Sequence, residues 1–231
     1  MYRTLFTHAT LLAALFVGHS AVAETKADSN VNSETSLQAA SAQALQQRLY
    51  DLKSLQGHFM QEIFEDGHLI QELQGHFVLE RPARLRWVTE APEASVMVAD
   101  GDTLWYYNPF IEQVTLFNQA DAMQSNPLLL LLENEQQDWQ DFIVEQQDHD
   151  QLQVWSIADK PGTSGSGSVL ELAFRKDSSA KFALETIRLR DLHGQESVFY
   201  LANLVYNAEV DGKPFQFDIP AGTDIDDQRD D

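Results

Sequence analysis

The feature that most constrains the fold is a change of apolar spacing at residue 58. From there, apolar residues recur at every second position in short runs, so each run has one apolar face. The first two runs are separated by Asp66-Gly67, a pair that accommodates the positive φ angles of a two-residue hairpin turn. Alternating runs joined by tight turns predict an antiparallel meander. We therefore expect a barrel or a strongly curved sheet rather than a βαβ fold.

The same turn chemistry recurs along the chain, at Asp100-Gly101, His193-Gly194 and Asp211-Gly212. Later strands are predicted at residues 142–147, 152–157, 169–175, 184–191, 197–205 and 215–219. Residues 159–168 are rich in glycine and serine and are typical of a loop. Because no internal repeat or second pattern interrupts this series, we predict a single domain over residues 37–231.

Two stretches follow a helical period instead. Leucines at positions 45, 49, 52 and 55 are spaced by four and three, which predicts a helix over residues 37–51. A second helix is predicted over residues 127–134, where Pro127 suits the first turn and five consecutive leucines follow. The chain is therefore mainly β with helices, an α+β class.

The first residues have the composition of an export signal. Arg3 precedes an apolar stretch at residues 11–17 that is too short to span a bilayer. Small residues at 21–23 then form a typical cleavage site. We predict a signal peptide over residues 1–23, a disordered polar segment over residues 24–36, and an exported protein. Since the chain has no cysteine, no disulfide and no lipid-bearing cysteine are expected.

Charge and motifs narrow the function classes. The net charge of −21 disfavours nucleic acid and anionic membrane surfaces as partners, and it suits solubility or steering toward basic proteins. The histidines do not form H-E-x-x-H, and neither G-x-S-x-G nor a phosphate-binding glycine-lysine loop is present. We therefore predict no catalytic residues, no metal and no cofactor, and a protein that is not an enzyme.

Large apolar side chains exceed what one thin sheet layer must bury. They include aromatic residues at positions 87, 105, 106, 107, 110 and 117, and the leucines at 128–132. Two interpretations stay open at this point. The residue types alone favour ordinary core packing between helices and sheet. A sheet curved around helices can also leave a space that suits an apolar ligand.

A set of motifs covers nearly the whole chain after the predicted signal peptide. They are Phe59-x-Gln61, Gly75, Arg81-Pro82, Trp87, Asp100-Gly101-x-x-Leu104-Trp105-x-Tyr107-Asn108-Pro109, Asn126-Pro127, Trp139, Asp191-x-x-Gly194-Gln195, Phe215-x-Phe217-x-x-Pro220 and Asp224-Ile225-Asp226-Asp227. Any one of these fragments is weak, but in their order and spacing they resemble the outer-membrane lipoprotein carrier (LolA) family of Gram-negative bacteria.

The resemblance implies an incomplete antiparallel β-barrel, a half-barrel, with a helical lid over an apolar cavity. It also implies a lid latch in which the Arg81 guanidinium donates to backbone carbonyls near Leu131 and Leu132. Alternation along the strand places Leu85 and Trp87 toward the cavity and the flanking arginines outside. The full set of expected lipid-binding residues is Phe59, Leu85, Trp87, Trp105, Tyr107, Leu128, Leu129 and Leu130.

By the same resemblance, the expected function is a periplasmic chaperone and carrier. It would accept lipoproteins released from the inner membrane, shield their acyl chains and deliver them to the outer membrane. The implied partners are an inner-membrane lipoprotein-releasing ABC transporter and an outer-membrane receptor lipoprotein of similar fold. A monomer is expected, because a shuttle must expose the mouth of its cavity. The alternative is a related periplasmic carrier of another amphiphile, such as a glycolipid.

Overall fold

The protein is described by a computed structural model. The residues it describes are 27–125, 131–132, 139, 141–163, 167–176 and 183–229. The predicted signal peptide and Leu128, Leu129 and Leu130 lie outside the described residues. The chain separates into two compact units after Thr35, and every strand lies in the second unit, from Ser36 onward.

Two α-helices and twelve strands make up the described part of the chain. The helices are α1 (Ala27–Tyr50) and α2 (Gln119–Ser125). The strands are β1 (Ser54–Glu65), β2 (His68–Glu80), β3 (Arg84–Thr89), β4 (Ser95–Ala99), β5 (Thr103–Asn108), β6 (Gln113–Asn118), β7 (Phe142–His149), β8 (Leu152–Asp159), β9 (Val169–Arg175), β10 (Leu184–Arg190), β11 (Glu196–Tyr206) and β12 (Asp224–Asp227). A 3-10 turn covers Lys213–Phe215.

The strands form one sheet in the order β12-β6-β5-β4-β3-β2-β1-β11-β10-β9-β8-β7. All neighbours pair antiparallel except β12, which runs parallel to β6. Since β12 and β7 stand at opposite ends of this order, the sheet is open rather than a closed barrel. The predicted mainly β fold, an incomplete barrel built from an antiparallel meander, is confirmed.

The first hairpin shows how the sequence specifies the meander. Asp66 and Gly67 adopt φ angles of 50° and 77°, the left-handed values that a two-residue hairpin turn needs. The strands on either side pair from Glu65 and His68 down to Ser54 and Glu80. In the strand order, this long β1–β2 hairpin lies in the middle of the sheet.

The N-terminal helix is longer than predicted. It begins at Ala27 rather than at residue 37, so the prediction of disorder is wrong for residues 27–36. That stretch is polar, but neither glycine nor proline interrupts it. A helix whose later turns are anchored can extend through such residues, because each added residue needs no new nucleation. None of the described helices is both long enough and apolar enough to cross a bilayer.

One predicted strand is wrong, two observed elements were not predicted, and one predicted helix lies mostly outside the described residues. Residues 215–219 form no strand: Phe215 ends a 3-10 turn, and Pro214 in that turn has no N–H for a ladder. Helix α2 and strand β12 were not predicted, because both are short and polar. Of the helix predicted over 127–134, only Leu131 and Leu132 are described, and they form a 3-10 turn.

The concave face of the sheet carries the core. Leu45 and Leu49 of α1 are 0% and 2% exposed, and they belong to the same buried cluster as the inward residues of β1, β2 and β3. The C-terminal half of α1 therefore covers this face, together with the Leu131–Leu132 turn. We call these two elements the covering segments.

Candidate functional site

A small apolar cavity lies between the concave face of the sheet and the Leu131–Leu132 turn. Among the described residues, its walls are formed by apolar side chains: Leu55, Phe77, Leu79, Leu85, Trp87, Leu131, Leu132 and Ile187. Its volume is about 20 Å³, counted over the positions that the centre of a water molecule can occupy. One water needs roughly 10–15 Å³ on this measure. The cavity therefore has room for about one water molecule, and an acyl chain needs more space than these walls leave between them.

Strand β3 follows the predicted alternation. Leu85 and Trp87 line the cavity, whereas Arg86 on the opposite face donates a hydrogen bond from Nη1 to the carbonyl of Pro214 at 3.3 Å. Arg84 shares that outer face and lies 3.8 Å from Glu80. The charged side chains of this strand are thus kept out of the cavity. Whether Leu85 and Trp87 contact acyl chains stays a prediction.

Trp87 is held by three phenylalanine rings. Phe59 stacks on it with centroids 4.3 Å apart, and Phe77 stacks at 5.2 Å. Phe199 meets it edge-on at 5.4 Å and 90°. Phe59 itself is 3% exposed and supports the Trp87 wall rather than lining the cavity. The arrangement fixes the indole, because offset and edge-on contacts each favour one orientation.

The assignment of Trp105 and Tyr107 to the cavity is wrong. Cavity-lining Leu85 pairs with Ala99, which pairs with Leu104, so Leu104 shares the concave face and Trp105 does not. Trp105 stacks on Phe217 at 5.7 Å, and the Tyr107 ring lies 5.9 Å from the same phenylalanine. Both aromatic residues belong to the convex face, where the segment after the 3-10 turn covers them.

The turn between β2 and β3 makes contact with both covering segments. The Arg81 guanidinium donates from Nη1 to the carbonyl of Leu49, in the last turn of α1. The Ala83 N–H donates to the carbonyl of Leu132 at 3.2 Å. The backbone N–H of Arg81 is also bonded to the carbonyl of Lys53 at 2.8 Å. One contact with the Leu131–Leu132 turn runs through Ala83, and the role of Arg81 as a latch stays a prediction.

A second arginine, Arg48, fixes α1 to strands β8 and β9 toward one end of the sheet. The Arg48 guanidinium lies over the rings of Phe174 and Trp155, at 4.3 and 5.2 Å from their centroids. Its Nη1 donates to Gln153 Oε1 at 2.9 Å, and burial lowers its pKa below the ordinary arginine value. The cation–π contacts and this hydrogen bond tie α1 to β8 and β9.

Replacing Arg48 with methionine should loosen α1. We expect the free energy of unfolding to fall by about 1–2 kcal/mol, from the lost cation–π contacts and hydrogen bond. Hydrogen exchange should accelerate more in residues 44–50 than in β1. Arg48→Lys is the matched control, since it keeps the charge but not the planar group. Equal exchange rates in all three proteins would contradict this role.

Asp100 organises the β4–β5 turn on the convex side. Its carboxylate accepts hydrogen bonds from the backbone N–H groups of Asp102 and Thr103, and from Trp105 Nε1, each at 2.9 Å. Burial alone would raise the pKa of Asp100, but these hydrogen bonds outweigh it and the pKa lies below the ordinary value of 3.8. The bond to Trp105 helps to keep the indole on the convex face.

The lowered pKa predicts a pH-dependent contribution to stability. A depressed folded-state pKa stabilises the protein fully above the unfolded-state pKa, and this stabilisation is lost as the pH falls through the folded-state value. The difference in unfolding free energy between wild type and Asp100→Asn should be constant above about pH 5 and shrink below about pH 4. Urea unfolding across this range measures it. A difference that persists unchanged to about pH 3 would contradict the account.

The chain is similar in sequence to proteins of one known family. Residues 50–218 match the family model described as outer membrane lipoprotein carrier protein LolA. The chain belongs to the LolA family. An outer-membrane lipoprotein carrier protein of Idiomarina loihiensis is 37% identical over 187 residues, which cover 80% of this chain and 87% of that protein. One from Pectobacterium carotovorum is 35% identical over 196 residues, covering 84% and 92% of the two chains.

Among solved structures, a LolA superfamily protein from Nitrosomonas europaea aligns over 76% of this chain and 97% of its own. The TM-score is 0.47 at 11% sequence identity. The family assignment itself rests on the sequence matches, and it confirms the resemblance that the motifs indicated.

Several cavity residues of this LolA family member were not predicted as site residues, namely Leu55, Phe77, Leu79 and Ile187. Two of them could have been predicted from the sequence, because Phe77 and Leu79 lie on one face of the alternating run. Ile187 is brought in by the β10–β11 and β1–β11 pairings, which join distant parts of the chain. Within the described ranges, no group of three or more histidine, aspartate and glutamate side chains is arranged to hold a metal ion.

Proposed function

We propose that this protein carries lipoproteins through the periplasm, with their acyl chains covered by the concave face of its sheet. The observation that carries the proposal is the cavity, whose described lining is apolar and whose cover is held by hydrogen bonds from the β2–β3 turn. The relatives named outer-membrane lipoprotein carrier protein support the same role. The function is binding and transfer, and it requires no catalytic group and no cofactor.

The size of the apolar cargo explains why a carrier is needed. Each buried methylene is worth about 0.8 kcal/mol, so exposing roughly forty methylenes of a lipoprotein costs on the order of 30 kcal/mol. Unassisted diffusion through water is negligible at such a cost. An apolar wall gives affinity without directional bonds, and one cavity can therefore accept many different lipoproteins.

The small volume of the cavity sets how tightly cargo is held. Loading must break contacts such as Arg81 to Leu49 and Ala83 to Leu132, which together are worth about 2–4 kcal/mol. The binding-competent open state is then a minor one, and the apparent affinity falls by its populated fraction. We infer that this cost keeps binding reversible, so an acceptor that binds more tightly can take the cargo without an energy source.

The proposal includes two partners and a location. An inner-membrane lipoprotein-releasing ABC transporter loads the monomeric carrier, and an outer-membrane receptor lipoprotein of similar fold unloads it. The net charge of −21 suits basic docking surfaces on both partners and disfavours adsorption to anionic lipid. Opening of the covering segments would present the apolar face to either partner.

A release assay tests the function. Spheroplasts that retain newly made outer-membrane lipoproteins are incubated with the purified protein beginning at Glu24, and soluble complexes are sought in the supernatant. Lipoproteins should appear only when the protein is present. Leu131→Glu, in the cavity wall, should abolish release, whereas Leu192→Glu should not, since Leu192 is 72% exposed in a distant turn.

The assay can also contradict the proposal. If no lipoprotein is released while an established carrier works alongside with a matched transporter, the cargo is not lipoprotein. Mass spectrometry of the ligand that co-purifies would then decide whether the cavity carries another amphiphile, such as a glycolipid.

A further inference from the structure

Gln119 is a buried polar residue at the start of α2, and its side chain joins two turns. It is 2% exposed. Its Nε2 donates to the carbonyl of Ala83 at 2.6 Å, and its Oε1 accepts from the N–H of Gly101 at 3.0 Å. Its own backbone N–H donates to the carbonyl of Asp102 at 3.0 Å. The amide therefore ties the β2–β3 turn to the β4–β5 turn from a fixed position.

Ala83, whose carbonyl is bonded to Gln119, has an unusual backbone conformation. Ala83 has a φ of +65°, in the left-handed region that non-glycine residues seldom occupy. Its carbonyl accepts from Gln119, while its N–H donates to Leu132 of the covering turn. Such a conformation persists only where surrounding contacts enforce it. Gln119 supplies one of the two hydrogen bonds on this residue.

We propose that Gln119 is a positioning residue that keeps the β2–β3 turn ready to hold both covering segments. Through Ala83 it directs one N–H toward Leu132, and two residues earlier the same turn carries Arg81, which is bonded to Leu49. This inference rests on the proposed function, in which those contacts control opening of the cavity. Because Gln119 is bonded to the carbonyl of Ala83, it acts on the covering segments by way of the turn.

A double-mutant cycle on cavity opening tests the inference without any lipoprotein. Opening is measured as the affinity for a neutral apolar dye, N-phenyl-1-naphthylamine, and as hydrogen exchange at residues 81–85. Arg81→Leu is expected to raise dye affinity roughly tenfold, and Gln119→Leu by that much or more, because the latter loosens both contacts of the turn. If Gln119 acts through the turn, the double variant should match Gln119→Leu rather than reach the product of the two effects, because coupled residues are not additive.

A glutamate variant separates positioning from simple packing. In Gln119→Glu the carboxylate repels the Ala83 carbonyl, but the protonated acid can donate to it as the amide does. A buried carboxyl group has a raised pKa, so dye affinity should return toward the wild-type value between about pH 8 and pH 5.5. Among the described residues, the charged groups of the surrounding elements include Glu80, Arg81, Arg84, Asp100, Asp102, Asp121 and Arg229. All of them are also present in the wild-type protein and in Gln119→Leu, whose flat profiles serve as controls.

The outcomes are distinguishable. Multiplicative effects in the cycle, or a glutamate variant that does not recover at low pH, would overturn the positioning role. Arg81→Leu without any effect on dye affinity would overturn the latch and this inference together. A failed release assay beside an intact cycle would overturn only the lipoprotein cargo. If Gln119→Leu does not fold, the glutamate variant at low pH still gives the answer.

Discussion

Arg81→Leu is expected to load lipoprotein at least as well as the wild-type protein and to fail to hand it over. The guanidinium stabilises the closed state through its bond to the carbonyl of Leu49, so its loss makes the open state less costly. A hydrogen bond to a charged group is worth about 1.5–3 kcal/mol, which corresponds to roughly 10- to 150-fold tighter retention of cargo. The measurement is the fraction of lipoprotein that passes from the loaded carrier to outer membranes.

Arg84→Leu is the matched control for this prediction. Arg84 lies in the same sequence motif but points to the convex face, where it pairs with Glu80 at 3.8 Å. Such an exposed ion pair contributes little, so this variant should load and transfer normally. Normal transfer by Arg81→Leu, or equal failure by both variants, would remove Arg81 from the mechanism.

Of the glycine-to-alanine changes in this sheet, Gly75→Ala should cause the largest loss of stability. A Cβ at this position would lie 1.9 Å from the carbonyl oxygen of Val88 and 2.6 Å from Cζ of Phe59. Neither neighbour can yield easily, since Val88 is part of the β3 ladder and Phe59 is stacked on Trp87. We expect the free energy of unfolding to fall by about 4 kcal/mol or more, or the chain to fail to fold.

Urea unfolding measures this loss, with Gly194→Ala as the control. Gly194 has a φ of +84° and open space around its Cβ position, so alanine there meets strain without a clash. Its cost should be about 1–2 kcal/mol. A similar small cost at both positions would mean that β2 and β3 can separate locally, and that the Phe59–Trp87 wall is softer than its contacts indicate.

Much of the fold was predictable because its signals are local. Period-two alternation and the Asp-Gly turns define the hairpins, and alternation alone places Leu85 and Trp87 on the cavity side of β3. The same rule, continued through the turn at Asp100, would have placed Leu104 inward and Trp105 outward. The erroneous assignment of Trp105 and Tyr107 followed the size of the side chains rather than their parity along the strand.

Other features depend on contacts between distant parts of the chain. The pairing of β12 with β6 links four mostly acidic residues to a strand of mixed polar and apolar residues, and no local pattern in Asp224–Asp227 predicts a strand. One partner of the Arg81 side chain is a backbone carbonyl 32 residues earlier, which no side-chain pattern encodes. The position of Gln119 between two turns likewise appears only once the sheet is assembled.

The most direct test of the central claim, that the concave face holds the acyl chains, is photo-crosslinking from two tryptophan positions. A benzophenone amino acid is placed at Trp87 in one protein and at Trp105 in another, on opposite faces of the sheet. Both proteins are loaded by spheroplasts and irradiated, and the adducts are identified by mass spectrometry. The account predicts acyl-chain adducts from position 87 and none from position 105. Adducts from position 105 alone, or release of lipoprotein without any adduct at position 87, would contradict it.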